Sequence, residues 1–348
     1  MKDYFKKTIP EIEKEVKLFF PENIDNNWIK KNIGNFSYKF DLEVWQRAFS
    51  EPFYDLFNRG GKRMRPVLGC LLHDALGGNF KDIYKFSIIS EIIHTGTLII
   101  DDLEDNSELR RGEKVINKIY GQEIAINSGI FIHFFPQLII KNSNLSHFQK
   151  AALYDVIANE LTKVYLGQGM DILWSKEKRF NVSIDEYLQM AAYKTSALLN
   201  VALKISAILS EADEKFLRKI ETISEKMGIA FQIQDDILNL KPSAEWGKET
   251  GEDIAEGKIT YMICDFFSKA KDNDKEILRN ILSSNTKDES KIKKAIEILE
   301  KYKSFKKASK YAKKLIFEAK DDIDDILEDS DYKRIFLEVL DYIVERKK

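Results

Sequence analysis

Residues 83–107, IYKFSIISEIIHTGTLIIDDLEDNS, decide the fold. Apolar positions recur at intervals of three and four through Phe86, Ile89, Ile93, Gly96 and Ile100, the period of a helix face rather than of a strand. The spacing predicts a helix from Ile83 to Ser107. It ends in the acids Asp101, Asp102, Glu104 and Asp105, and the chain then turns basic at Arg110 and Arg111. On such a helix Asp101 and Asp105 share a face, with Asp102 beside them. Like charges at that spacing cost about 0.2–0.5 kcal/mol per pair, and acids at a helix C-terminus also oppose the macrodipole. Stability alone would not select them.

The same period recurs at Ile277 and Ile281 and at Ile292, Ile296 and Leu299, while sustained alternation of period two is hard to find. Only six prolines interrupt the chain, which leaves room for long helices. Gly77-Gly78-Asn79, Asn142 to Ser146, Pro242-Ser243 and Ser283-Ser284-Asn285 read as loops, none long enough to link domains. The expectation is one all-α domain over residues 1–348, a large helical bundle with Lys- and Glu-rich amphipathic helices after about Asp272.

Composition narrows the function. Fifty-five basic against 57 acidic residues leave a net charge of −2, so no global field draws the chain to nucleic acid or an anionic membrane. Cys70 and Cys264 are isolated, which argues for a reducing compartment, by default the cytoplasm. The N-terminal MKDYFKKTIPEIEKEV lacks the apolar core of a signal peptide, and GIFIHFFPQLII (129–140) reads as too short to span a membrane.

Pattern alone is weak evidence for a site: DDIDD at 321–325 repeats the spacing of the first acids, yet sits among alternating acids and lysines and reads as solvated helix surface. The first cluster has company. In GIAFQIQDDILNL (228–240) an apolar helical approach leads to Asp235, Asp236 and Asn239 at i, i+1 and i+4. The two clusters are far apart in sequence and are expected to face one cavity across the bundle. Oxygen ligands without His or Cys at zinc spacing suit magnesium, which completes its shell with water and substrate phosphates. Basic strings that would hold phosphate follow the same logic: GGKRMRP (60–66), RRG (110–112), YKT (193–195) and WGKETGEDIAEGK (246–258). Gly60-Gly61 before Lys62 would let backbone approach an anion closely.

These blocks together, from about Phe53 to Thr260 and in this order, resemble the trans-isoprenyl diphosphate synthases, the polyprenyl synthetase family. YAKKLIFEA and the ending DYIVERKK are similar to its tail. The resemblance implies an isoprenoid-synthase-type bundle with a central substrate cavity, generally a homodimer, and the condensation of isopentenyl diphosphate with an allylic diphosphate. The product is one isoprene unit longer and pyrophosphate is released. It further implies that Asp101, Asp102 and Asp105 on one wall and Asp235 and Asp236 on the other hold magnesium ions bridging the allylic diphosphate. Arg110, Lys194 and Lys258 would grip that group, with Lys248 close by. Isopentenyl diphosphate would sit on Lys62, Arg65, His94 and Arg111, while Thr195, Phe231 and Gln232 match positions beside the reacting carbons. Asn239 stands where the family's pattern has Asp, and would accept a magnesium-bound water. His94 reads equally as a satisfied core histidine, and the rings of Tyr193 and Phe231 as core. With no strong base in sight, the released pyrophosphate is expected to take the proton.

One turn before Asp101 lie Gly96 and Thr97, with Ile93 and Ser90 deeper on the same face. Where farnesyl-forming relatives place bulky aromatics, this small pair favours an open tunnel and geranylgeranyl diphosphate, with longer chains or farnesyl diphosphate as alternatives. Phe131, His133, Phe134 and Phe135 would supply a floor from a neighbouring helix. A non-catalytic subunit of a heteromeric synthase, a terpene cyclase or head-to-head synthase, and a nucleic-acid-binding scaffold are the competing readings. The nearly complete sets of acids and bases speak against the first. The GGKRMRP string speaks against the cyclase, and both acidic clusters against the scaffold.

Overall fold

A computed structural model describes residues 1–241 and 251–346. The segment expected to be decisive is a helix, Ile83–Glu104, starting where predicted and ending short of Ser107. The Asp105 N–H closes its last turn on Asp101 O at 2.9 Å, and Asn106 then takes a left-handed conformation (φ 53°) that the helix cannot continue through.

In chain order the helices are α1 (Lys2–Phe19), α2 (Asn26–Asn32), α3 (Leu42–Trp45), α4 (Glu51–Asn58), α5 (Met64–Ala75), α6 (Ile83–Glu104), α7 (Ile116–Tyr120), α8 (Gln122–Phe134), α9 (Gln137–Lys141) and α10 (His147–Lys176). They continue as α11 (Ile184–Ala191), α12 (Ala197–Leu209), α13 (Glu214–Leu240), α14 (Glu252–Glu256), α15 (Tyr261–Lys269), α16 (Asp272–Ser283), α17 (Glu289–Lys301), α18 (Ser304–Ile326) and α19 (Asp331–Glu345). Two π-helical turns interrupt the series, Gln46–Ser50 and Ala192–Ser196. The strands described are β1 (Leu109–Arg110) and β2 (Glu113–Lys114), an antiparallel pair in which Arg110 faces Glu113. Strands of two residues are too short to leave a period in sequence.

These elements form two compact units. One comprises Met1–Ala158, Val201–Leu217 and Glu328–Phe336; the other comprises Asn159–Asn200, Arg218–Leu327 and Leu337–Lys348. In the first, α6 is the central element and packs on α1, α5 and α8. The crossing with α8 is tight: a Cβ on Gly96 would lie 2.9 Å from Ile132 Cγ2 and 3.0 Å from Gly129 O. Phe20, Trp45, Phe49, Phe131 and Phe135 build an aromatic cluster beside it, with centroids 4.2–6.4 Å apart between ring neighbours. By length and composition, Ile83–Glu104 and Gln122–Lys141 are apolar enough to cross a membrane, contrary to the reading of 129–140 as too short. The second stretch takes in α8, the turn at Phe135-Pro136 and α9, and so extends past the apolar string at both ends. Of their apolar windows, 67% and 50% are buried within the protein.

In the second unit α15 and α18 pack together, pinned by fully buried Asp265. It accepts from Ser304 Oγ at 2.7 Å, Lys269 Nζ at 2.5 Å and Lys307 Nζ at 2.6 Å. The DDIDD repeat lies on α18, with Asp321, Asp324 and Asp325 exposed as expected. Asp322 differs, because Lys219 and Lys226 of α13 donate to it at 2.6 and 2.7 Å.

Candidate active site

In the first unit the acids of α6 meet the hairpin that follows. Arg110 Nε donates to Asp102 Oδ1 at 2.7 Å and Nη2 donates to Asp101 Oδ2 at 3.1 Å. The hairpin's two-residue loop, Arg111-Gly112, has positive φ at both positions (55° and 83°), the type I′ pattern that brings paired strands back on themselves. Asp102 is buried at 1% exposure, whereas Asp101 keeps access to solvent. Among the described residues no three His, Cys, Asp or Glu side chains gather closely enough to hold a metal ion by themselves. Asp105 sits at the helix end, beyond the last full turn. An adjacent carboxylate pair nevertheless fits magnesium, which proteins commonly hold by one or two carboxylates, with water and substrate phosphate completing the shell.

The basic wall lies on the same unit. Lys62 is exposed; Arg65 is half-buried, and its Nε has no hydrogen-bond partner among the described residues. Arg111 donates to the carbonyls of Leu56, at 3.3 Å, and Gly60. At Gly61 the room that glycine leaves is taken by guanidinium groups, since a Cβ would lie 3.0 Å from Arg63 Nη1 and 3.1 Å from Arg111 Nη2. His94 is partly buried, with Thr97 Oγ1 3.5 Å from its Nδ1. Burial first, then the charges of Arg65, Arg111, Arg110 and Arg63, push its pKa well below the ordinary histidine value. The imidazole is therefore neutral at pH 7, a dipole rather than the cation of an ion pair. Gly96, expected to leave a tunnel open, is used for the α6–α8 contact; Thr97 is half-buried and Ile93 fully buried. Of the proposed aromatic floor, Phe131 and Phe135 join the aromatic cluster, His133 is buried and Phe134 is 65% exposed.

In the second unit the π-helical turn Ala192–Ser196 presents Lys194 and Thr195. Lys194 Nζ donates to Asp171 Oδ2 at 2.6 Å, and Lys258 Nζ lies 3.5 Å from the same oxygen. Thr195 Oγ1 donates to Gln232 Oε1 at 2.6 Å, and Gln232 Nε2 in turn donates to Asp236 Oδ1 at 2.9 Å. Asp236 is buried, and its other oxygen accepts from Tyr187 OH at 2.7 Å and Tyr261 N at 3.3 Å. Burial pushes its pKa up to about 7 against the pull of these donors. Asp235 points the other way and is paired with Arg346 at 2.9 Å, whose guanidinium also stacks 3.9 Å over the Phe231 ring. Asn239 departs from its expected role: it is buried, and its Oδ1 accepts from Asp253 N at 3.1 Å, so its side chain holds the backbone entering α14. Lys248 lies outside the described residues. Asp171, Tyr187 and Arg346 escaped the sequence reading. For Asp171 the available signal was a single acid among Met170, Ile172 and Leu173 on one helix.

This pairing of carboxylates with cations on an all-α frame is the equipment of a prenyltransferase. The chain belongs to the polyprenyl synthetase family, whose model matches residues 46–299. It is 35% identical over 295 residues to a short chain isoprenyl diphosphate synthase of Methanothermobacter thermautotrophicus, covering 84% of this chain and 88% of that one. It is 31% identical over 294 residues to a geranylgeranyl diphosphate synthase of Saccharolobus solfataricus, covering 83% and 85%. A crystal structure of geranylgeranyl pyrophosphate synthetase from Pyrococcus horikoshii superposes with a TM-score of 0.86 at 27% identity, covering 99% of both chains.

Proposed function

We propose that this chain elongates prenyl diphosphates, joining isopentenyl diphosphate to an allylic diphosphate and ending chiefly at geranylgeranyl diphosphate. One observation carries the reading: Arg65 and Arg111 make no ion pair among the described residues, while both act electrostatically on neutral His94. Glu91 acts on both from a distance, but with no carboxylate in ion-pair contact among the described residues they, with Lys62, suit a diphosphate bound directly. The Arg110 pair with Asp101 and Asp102 and the Lys194 and Lys258 pair with Asp171 are the two groups assigned to the allylic diphosphate, and we propose that both units serve one catalytic domain.

Asp101 and Asp102, with Asp235, are the carboxylates assigned to magnesium, which when bound neutralises charge on the departing pyrophosphate. Arg110, Lys194 and Lys258 exchange carboxylate for phosphate contacts and stabilise the same developing charge. The allylic C–O bond breaks, the double bond of isopentenyl diphosphate supplies the electrons for the new C–C bond, and the proton lost passes to released pyrophosphate. Thr195 and Gln232 orient the reacting carbons through their mutual hydrogen bond. Thr97 and Ile93 are assigned to the tunnel wall.

A homodimer is supported by Ile126, Ile130 and Phe134, which repeat every four residues on one face of α8 and are 42%, 46% and 65% exposed. Cys70 and Cys264 are buried free thiols, in keeping with a reducing, cytoplasmic setting. Incubating the protein with labelled isopentenyl diphosphate, magnesium and dimethylallyl, geranyl or farnesyl diphosphate in parallel tests the reading. Elongation to twenty carbons is expected, and failure to extend any starter would overturn it.

A further inference from the structure

We propose that Arg63, through a buried ion pair with Glu91, is the positioning residue of the loop that carries Lys62 and Arg65. The inference rests on the assignment of those two cations to isopentenyl diphosphate. Arg63 lies in the middle of the basic string, yet its side chain turns away from solvent and is only 3% exposed. All three of its guanidinium nitrogens donate: Nη1 to Glu91 Oε1 at 2.9 Å, Nη2 to Phe57 O at 2.7 Å and Nε to Glu13 Oε1 at 3.2 Å, while its plane covers the Phe57 ring at 3.8 Å. One side chain thus ties the loop to α1, α4 and α6.

The backbone bears the trace of that arrangement. Arg63 has φ 47°, a left-handed conformation that a non-glycine residue holds only where its surroundings impose it. With Arg63 turned inward just before α5, Lys62 stays exposed and Arg65 occupies the first turn of α5, its Nε without a hydrogen-bond partner among the described residues. Glu91, also buried, stands one turn before His94 on α6, so the ion pair sets the loop against the helix that carries the histidine. Arg111 braces the other side of the loop through Gly60 O. A buried ion pair is a poor source of stability compared with apolar packing. Here it fixes direction, because the planar fork of arginine can satisfy Glu91, Glu13 and the Phe57 carbonyl at once and the lysine ammonium cannot reproduce that geometry.

Two variants test this. Arg63→Met/Glu91→Met removes both charges together and leaves neither buried alone, and Arg63→Lys keeps the charge but loses the fork. Thermal melts and steady-state kinetics are measured for each, with Lys62→Ala and Arg65→Ala alongside. Expected is a KM for isopentenyl diphosphate raised about tenfold or more in folded protein, with KM for the allylic substrate unchanged. An unchanged KM for isopentenyl diphosphate, or equal losses for both substrates, overturns the inference. If the double variant does not fold, Arg63→Lys decides by the same criterion. Should Lys62→Ala and Arg65→Ala leave isopentenyl diphosphate turnover intact, the assignment of the loop fails and the inference with it. Should they impair it while the Arg63 variants do not, the positioning role alone falls.

Discussion

At the residue scale, burial sets the chemistry of the two histidines His94 of α6 and His133 of α8. His133 is 2% exposed, and burial pushes its pKa down to about 4. The folded protein holds it neutral while the unfolded chain binds a proton below about 6.5. Its contribution to stability is therefore complete above that pH and is lost as pH falls toward 4, by up to about 3 kcal/mol. Urea unfolding at pH 7 and pH 4 checks this: the loss on acidification should be smaller in His133→Leu, with His94 responsible for part of what remains. The candidate acids stood out as residues, since nothing in helix stability explains Asp101, Asp102 and Asp105 together. Their partners were not. Arg63 and Arg65 are two positions apart in one basic string, and only the fold turns one into the core and leaves the other facing an open need.

At the element scale, the π-helical turn Ala192–Ser196 places Lys194 and Thr195, and single turns of this kind mark sites where regular helix geometry would aim side chains wrongly. Gly167 on α10 allows the approach: a Cβ there would lie 2.4 Å from Lys194 N and 2.9 Å from its Cα. Gly167→Ala is expected to destabilise by about 1–3 kcal/mol and to lower kcat about tenfold or more by displacing Lys194. A melt and a turnover assay on the same preparation separate the two effects. At the α15–α18 contact, three donors hold the Asp265 carboxyl below its usual value although burial opposes them. Its stabilisation is present above pH 3.8 and lost as pH falls below it. Asp265→Ala removes the acceptor of two partly exposed lysines and of the buried Ser304 hydroxyl, and about 2 kcal/mol should disappear from urea-unfolding free energies at pH 7, with no change in product length.

At the scale of the whole molecule, chelation by EDTA should abolish prenyl transfer and added magnesium restore it, with the thermal midpoint measured in parallel. If midpoint and activity fell together, the metal would be a structural one and the proposed role of Asp101 and Asp102 would fail. The face of α8 bearing Ile126, Ile130 and Phe134 gives a second test. Ile130→Glu with Phe134→Glu should convert a dimer to a monomer in analytical ultracentrifugation, and an unchanged sedimentation coefficient would place the interface elsewhere.

The sequence by itself determined the helical class, the start of α6 at Ile83 and the acidic and basic strings, because period and charge order are local properties that a chain carries before it folds. Tertiary structure alone decided which of those groups face inward. It put Asp236 under Tyr187 and Gln232 and turned Asn239 to the backbone of Asp253. It closed Gly96 against α8 and gave Arg63 to Glu91. Each of these depends on partners distant in sequence, and burial raises the energy of a polar group until such a partner is found.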